Sequence, residues 1–187
     1  MACDLSRGRI EPCKDSVGGI NAVYFINFGD ANLDVEFDVT DTDVIDQLGS
    51  TASDVSAYKY DLKGASSYEE TITSSRDTGT TFFEQTLSLT LKGLTKEDHK
   101  EIKLLAYGRP HVIIEDYNGN LLYMGREHGA DVTGGTVASG TAMGDLSGYT
   151  LTLTAQERTP ANFCIPSSGT TVAEKLTNLN VATVSGS

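Results

Sequence analysis

Only one stretch of this chain carries a helical signature, and strand-length apolar segments lie on both sides of it. That order lacks the strand–helix alternation a parallel sheet requires. In Thr95-Lys96-Glu97-Asp98 the threonine side chain can accept from first-turn N–H groups, and the acidic residues suit the positive end of a helix. Ile102, Leu105 and Ala106 share one face, while Lys96, Lys100 and Lys103 lie elsewhere. Gly108 is placed for a left-handed cap and Pro110 blocks continuation, so the helix is expected over residues 96–107.

The rest reads as strands. Residues 20–28 form an apolar run ended by Gly29-Asp30, and Leu33 to Val39 alternates apolar with acidic, the pattern of a half-buried strand. Thr42 to Ser53 is ambiguous between strand and turn, whereas residues 55–62 and 68–73 are strand-like. Residues 80–91 are the longest candidate, with Phe83, Gln85, Leu87, Leu89 and Leu91 on one face. Residues 111–116 and 121–124 flank Tyr117-Asn118-Gly119-Asn120, and Asn-Gly suits both central positions of a type I′ turn. A strand is expected over 130–138, and residues 148–155 are expected to be the last core strand. The expected fold is mainly β: an antiparallel sandwich or barrel with one flanking helix. Residues 1–19 read as an N-terminal arm, 20–161 as the β domain and 162–187 as a polar C-terminal arm.

At 187 residues the chain suits one domain with extensions and buries a core without needing disulfides or metals. Its net charge of −12 repels nucleic-acid phosphate and anionic membranes. No apolar run approaches the roughly 20 residues that span a bilayer, and no membrane insertion is expected. The opening MACDLSRGRIEPCKD lacks the apolar core of a secretory signal, so use without Sec export is expected. Cys3, Cys13 and Cys164 are an odd count. Cys3 and Cys13 can pair across an N-terminal loop, or all three remain thiols in a reducing compartment.

The usual spacings of catalytic and metal signatures are absent from the sequence. His99, His111, His128 and the cysteines show no Cys-x-x-Cys or His-x-x-x-His spacing, and no metal or cofactor is expected. There is no Gly-x-Ser-x-Gly elbow. The pairs Glu69-Glu70 and Glu115-Asp116 are neighbours on strands, so their side chains point to opposite faces and neither forms a dyad. The glycines at 134, 135, 140, 144 and 148 lack the Gly-Lys-Ser/Thr of a phosphate loop. The Asp38–Asp46 ladder lacks the glycine and final Glu of a calcium loop. No enzymatic activity is expected.

The acidic block says more. Asp30, Asp34, Glu36, Asp38, Asp41, Asp43 and Asp46 occur in succession with no basic residue among them. One account is a solvated face; the other is a wall that must lie beside DNA without gripping it, because a phosphate-binding wall stalls the polymer.

The segments Phe82-Phe83-Glu84-Gln85-Thr86-Leu87, Leu104-Leu105-Ala106-Tyr107-Gly108-Arg109 and Val112-Ile113-Ile114-Glu115-Asp116 stand with the glycine-rich tract from Gly129 to Thr152. Together, over residues 81–161, they resemble tail tube proteins of tailed bacteriophages. The resemblance implies a virion structural protein, synthesised in the host cytoplasm, that forms stacked, hexameric rings. Inner sheets join into a continuous barrel through which DNA passes without specific binding. Long loops and terminal arms reach the next ring, and the remaining partners are other tail or neck proteins. Under it, Asp34, Glu36, Asp38, Asp41 and Asp43 are the expected channel-lining residues. The alternative is a monomeric or capsid-attached β module for binding or decoration, docking through Tyr58, Tyr60 and Tyr68, which otherwise serve the core.

Overall fold

The computed structural model describes residues 7–11, 13–30, 35–48 and 55–164, together with the backbone of 179–183. The chain is mainly β, with two sheets and one helix. In chain order the elements are β1 (Ile20–Ile26), β2 (Val35–Phe37), β3 (Val44–Leu48), β4 (Val55–Asp61), β5 (Ser67–Ser75) and β6 (Thr80–Lys92). Then come α1 (Lys96–Tyr107), β7 (His111–Asp116), β8 (Leu121–Met124), β9 (Asp131–Ala138), β10 (Gly148–Glu157), β11 (Asn162–Cys164) and β12 (Leu179–Thr183).

The large sheet runs β12-β4-β1-β7-β8-β11-β3-β2 and curls into a half-barrel; the small sheet runs β5-β6-β10-β9. Strands at the centre of the large sheet are apolar on both faces because each face meets its own core. From β1, Val23 and Phe25 join a cluster with Leu87, Leu151 and Leu153 of the small sheet, and Ile102 of α1 closes it. The intervening Ala22, Tyr24 and Ile26 face the inside of the curl with Ile45, Leu121 and Tyr123. A strand buried on both faces reads as a continuous apolar run, as residues 20–26 do.

Helix α1 spans the expected residues. Thr95 accepts from Asp98 N at 3.0 Å, as its side-chain chemistry dictates. Two details of the expected helix are corrected. Ala106 is exposed, leaving Ile102 and Leu105 as the residues that face the core. Gly108 is not left-handed: its φ of −93° and ψ of 177° are extended, and its N–H still reaches Leu104 O at 3.0 Å. The chain must leave straight, because Arg109 precedes a proline and is confined to extended backbone.

The β7–β8 hairpin forms with a different turn. Gly119 N donates to Asp116 O at 3.2 Å, so Tyr117 and Asn118 are central, and Gly119 follows with φ of +83°. This is the bulged hairpin, which needs positive φ only at the glycine. The Asp116 carboxylate selects it by accepting from Asn118 N at 2.9 Å, Asn120 N at 2.8 Å and Asn120 Nδ2 at 2.8 Å.

The alternating segment 33–39 gives only the three-residue β2, since the Asp38 carboxylate accepts from the N–H groups of Thr40 and Asp41 and starts a turn. Its first two residues, 33 and 34, lie outside the described residues. Nor is β10 the last core strand. Residues 162–187 contribute β11, which pairs antiparallel with β8 and parallel with β3, and β12, which pairs parallel with β4. Three-residue strands are too short for a periodic signal. The N-terminal arm is tied down at its end: Asn118 accepts from Val17 N at 3.0 Å and donates to Val17 O at 2.7 Å.

Candidate functional site

Two surfaces and one polar corner stand out. The first surface is the acidic β2–β3 hairpin. Glu36 and Asp43 are exposed, but Asp38 and Asp41 are committed to their own turn. Asp38 accepts from the Thr40 hydroxyl as well as from the two backbone groups, and Asp41 accepts from Asp43 N at 3.1 Å. Those hydrogen bonds, the Thr40 hydroxyl first, hold the Asp38 carboxyl below its ordinary range. Asp34 lies outside the described residues. Of the five residues expected to line a channel, the structure therefore brings Glu36, Asp38, Asp41 and Asp43 onto one hairpin at the edge of the large sheet.

The second surface, the outer face of the small sheet, gives no signal in sequence beyond alternation. Because Leu87, Leu89, Leu151 and Leu153 point into the core, the residues between them point out. Thr86 stands opposite Thr154, Ser88 opposite Thr152 and Thr90 opposite Thr150. Thr136 continues the last row, its hydroxyl 2.6 Å from that of Thr150. Glu69, Glu84 and Asp131 add carboxylates; on the outward positions of these four strands Lys92, at one end, is the one cation. The face carries rows of hydroxyls with carboxylates among them and Phe82 opposite Thr73, and its outermost strands β5 and β9 have no described strand on their outer sides. Edge strands of nine and eight residues are long. They contain no proline, lysine or arginine; what blunts them is Glu69 and Glu70 on β5, and on β9 a bulge opposite Thr152 and Leu153 and the approach of α1.

The polar corner lies where the 125–129 loop carries the chain from β8 to β9. Gln85, 1% exposed, accepts from Gly125 N at 3.0 Å, and His111 Nδ1 lies 2.7 Å from Gly125 O. Glu157 accepts from Glu127 N and His128 N at 3.0 and 2.9 Å and faces His128 Nδ1 at 3.1 Å. Tyr123 Oη, Arg126 Nε and Asn162 Oδ1 are buried and have no hydrogen-bond partner among the described residues. Glu157 and Gln85 sit 29 and 40 residues from their partners, so local spacing holds no trace of this corner.

The tyrosines of the alternative docking face do not share one surface. Tyr58 and Tyr60 line a groove of about 660 Å³ beneath α1, with Phe28 and Leu104. Tyr68 lies at a separate depression beside Gly19 and Asp116. Burial, then the charges of Glu101 and Asp98, push the Tyr60 hydroxyl up to about 12, and burial pushes the Cys164 thiol up to about 12. Glu70 serves structure, accepting from Tyr68 Oη and Ala161 N, both at 2.9 Å. Cys13 is an exposed thiol, and Cys3 lies outside the described residues. Among the described residues no helix is long and apolar enough to cross a membrane. Comparison with protein-family models, curated proteins and solved structures gives no match to this chain.

Proposed function

We propose that this chain is a structural subunit of a phage tail tube, assembling through its own copies into stacked, hexameric rings around a channel for DNA. One observation carries the reading. The small sheet has long strands at both edges, neither with a described strand on its outer side, and bears hydroxyls and carboxylates on its outer face. An edge of this kind pairs with another strand when one is offered. Joining β9 of one copy to β5 of the next would extend the four strands around a ring and close the sheet without free edges, as barrels do.

The chemistry of the outer face suits the inside of such a ring. Threonine and serine hydroxyls are small and uncharged, and they give a phosphate no cation to rest on. Glu69, Glu84 and Asp131 repel it. We assign the channel wall to this face because its long edge strands let it continue from copy to copy. The hairpin bearing Glu36, Asp38, Asp41 and Asp43 lies on the other sheet and adds to the negative field. In this reading the chain is not an enzyme, its further partners are other tail or neck proteins, and it acts in the virion. A monomeric decoration module has less in its favour, because Tyr58, Tyr60 and Tyr68 are split between two depressions.

Cysteine pairing tests the edge contact. Thr73→Cys on β5 is combined in turn with Thr133→Cys, Gly134→Cys and Thr136→Cys on β9. Within one copy β5 and β9 are separated by two strands, roughly 14 Å, too far for a disulfide. In a background with Cys3→Ser and Cys13→Ser, mild oxidation is expected to give a ladder of covalent multimers for at least one pair and none for any of the single variants. Monomers alone from all three pairs would reject β5–β9 joining.

A further inference from the structure

The loop from β8 to β9 gathers more ligating chemistry than a connection needs. Glu157 is the hub. Its side chain is 2% exposed, and one carboxylate oxygen is fixed by the backbone N–H groups of Glu127 and His128. That leaves the second oxygen facing His128 Nδ1 at 3.1 Å. The Glu127 carboxylate stands beside them, so one ligand atom from each of the three residues lies within 4.8 Å of the others. Glu127 also pairs with Arg126 at 2.9 Å. Two carboxylates against one guanidinium leave one negative charge at the corner when the imidazole is neutral.

We propose that Glu127, His128 and Glu157 form a zinc-binding site that clamps the β8–β9 loop onto β10. Zinc is held by imidazole nitrogen and carboxylate oxygen at about 2.0–2.2 Å in a tetrahedron, which sets neighbouring ligand atoms about 3.3 Å apart. The His128–Glu157 separation of 3.1 Å is already close to that edge length. The metal replaces a hydrogen bond between these two groups without moving the backbone. Glu157 is oriented from behind by two N–H donors, the outer-shell support that metal-binding carboxylates characteristically have. Glu127 is the mobile arm: it turns from Arg126 to the metal, and Arg126 keeps its place over the Phe37 ring and beside Thr159. The fourth position opens to solvent, because the His128 side chain is 60% exposed.

One imidazole with two carboxylates selects zinc over calcium or magnesium, which demand six or more oxygen ligands. The site ties the large sheet to the small one, so its effect is on the rigidity of the two-sheet body. It stands independently of any role in a tail, and it departs from the expectation of no metal because Glu157 is remote in sequence from the other two ligands.

The test is zinc titration of the metal-stripped full chain by calorimetry, with cobalt absorption as a geometric readout. Wild type is expected to bind one zinc per chain and to give the intense visible bands of tetrahedral cobalt. His128→Gln and Glu127→Gln, both on exposed loop positions, are each expected to weaken zinc at least about tenfold. Zinc is also expected to raise the melting temperature of wild type and leave that of His128→Gln unmoved. No zinc binding by wild type would overturn the proposal. So would equal affinity in wild type and both variants, which would place the metal on Cys13 or another exposed group.

Discussion

His111 lies between two aromatic rings, 5.1 Å from the centre of Phe28 and 5.8 Å from that of Tyr123, and its Nδ1 meets Gly125 O. Burial depresses its pKa, against the opposing pull of the Gly125 carbonyl and the Glu157 charge. The folded chain therefore resists protonation at this ring, while the unfolded chain takes up a proton near 6.5. The stability this contributes is present above about 6.5 and is lost as pH falls through the lower folded value. His111→Gln keeps a polar group near Gly125 O but does not titrate. Denaturant unfolding between pH 7 and pH 5 is expected to show a smaller loss for the variant than for wild type; equal slopes would place His111 outside the linkage. None of this is legible locally. His111 reads in sequence as a histidine at a strand start, and its rings come from residues 28 and 123, which the topology brings together.

At the scale of elements, legibility tracks how local the deciding interactions are. Helix α1 has the bounds that Thr95, Gly108 and Pro110 imply, because caps act within a few residues. Strand β6 buries Gln85, Leu87 and Leu89 as its alternation implies. The turns that differ do so through single carboxylates: Asp116 selects the bulged hairpin, and Asp38 cuts β2 short. Burial pushes the Asp116 carboxyl up, and its hydrogen bonds to Asn120 and Asn118 outweigh this and leave it lowered. Strand β11 escapes notice because its pairing, including Asn162 Nδ2 to Asp43 O at 2.8 Å, is remote. The β6–β10 ladder offers a sharp test of packing. A Cβ at Gly148 would lie 2.0 Å from Leu91 O, whereas one at Gly134 on β9 meets nothing within 4 Å. Gly148→Ala is expected to destabilise by about 2–3 kcal/mol as the strands are forced apart. Gly134→Ala is expected to be neutral or slightly stabilising. Thermal unfolding of the two variants side by side separates strand crowding from a general cost of altering glycine; equal losses would contradict it.

For the whole molecule, the two cores and the single helix make the mainly β class readable, and the face proposed as the channel wall is not the one the charge count selects. Seven acidic residues in succession draw attention to residues 30–46, but two of those carboxylates hold their own turn. The outer face of the small sheet shows in sequence only as threonines and serines spaced two apart in strands 86–90 and 150–154. Its significance comes from what the topology leaves at the margins, two long strands with no described strand on their outer sides. The assembly that follows is tested most directly by light scattering on the purified chain over rising concentration, with the same sample imaged by negative-stain electron microscopy. Particles of several 19.9 kDa chains that image as rings with a central hole or as tubes are expected. A species that stays at the mass of one chain at every concentration, with no rings or tubes in the images, would contradict it.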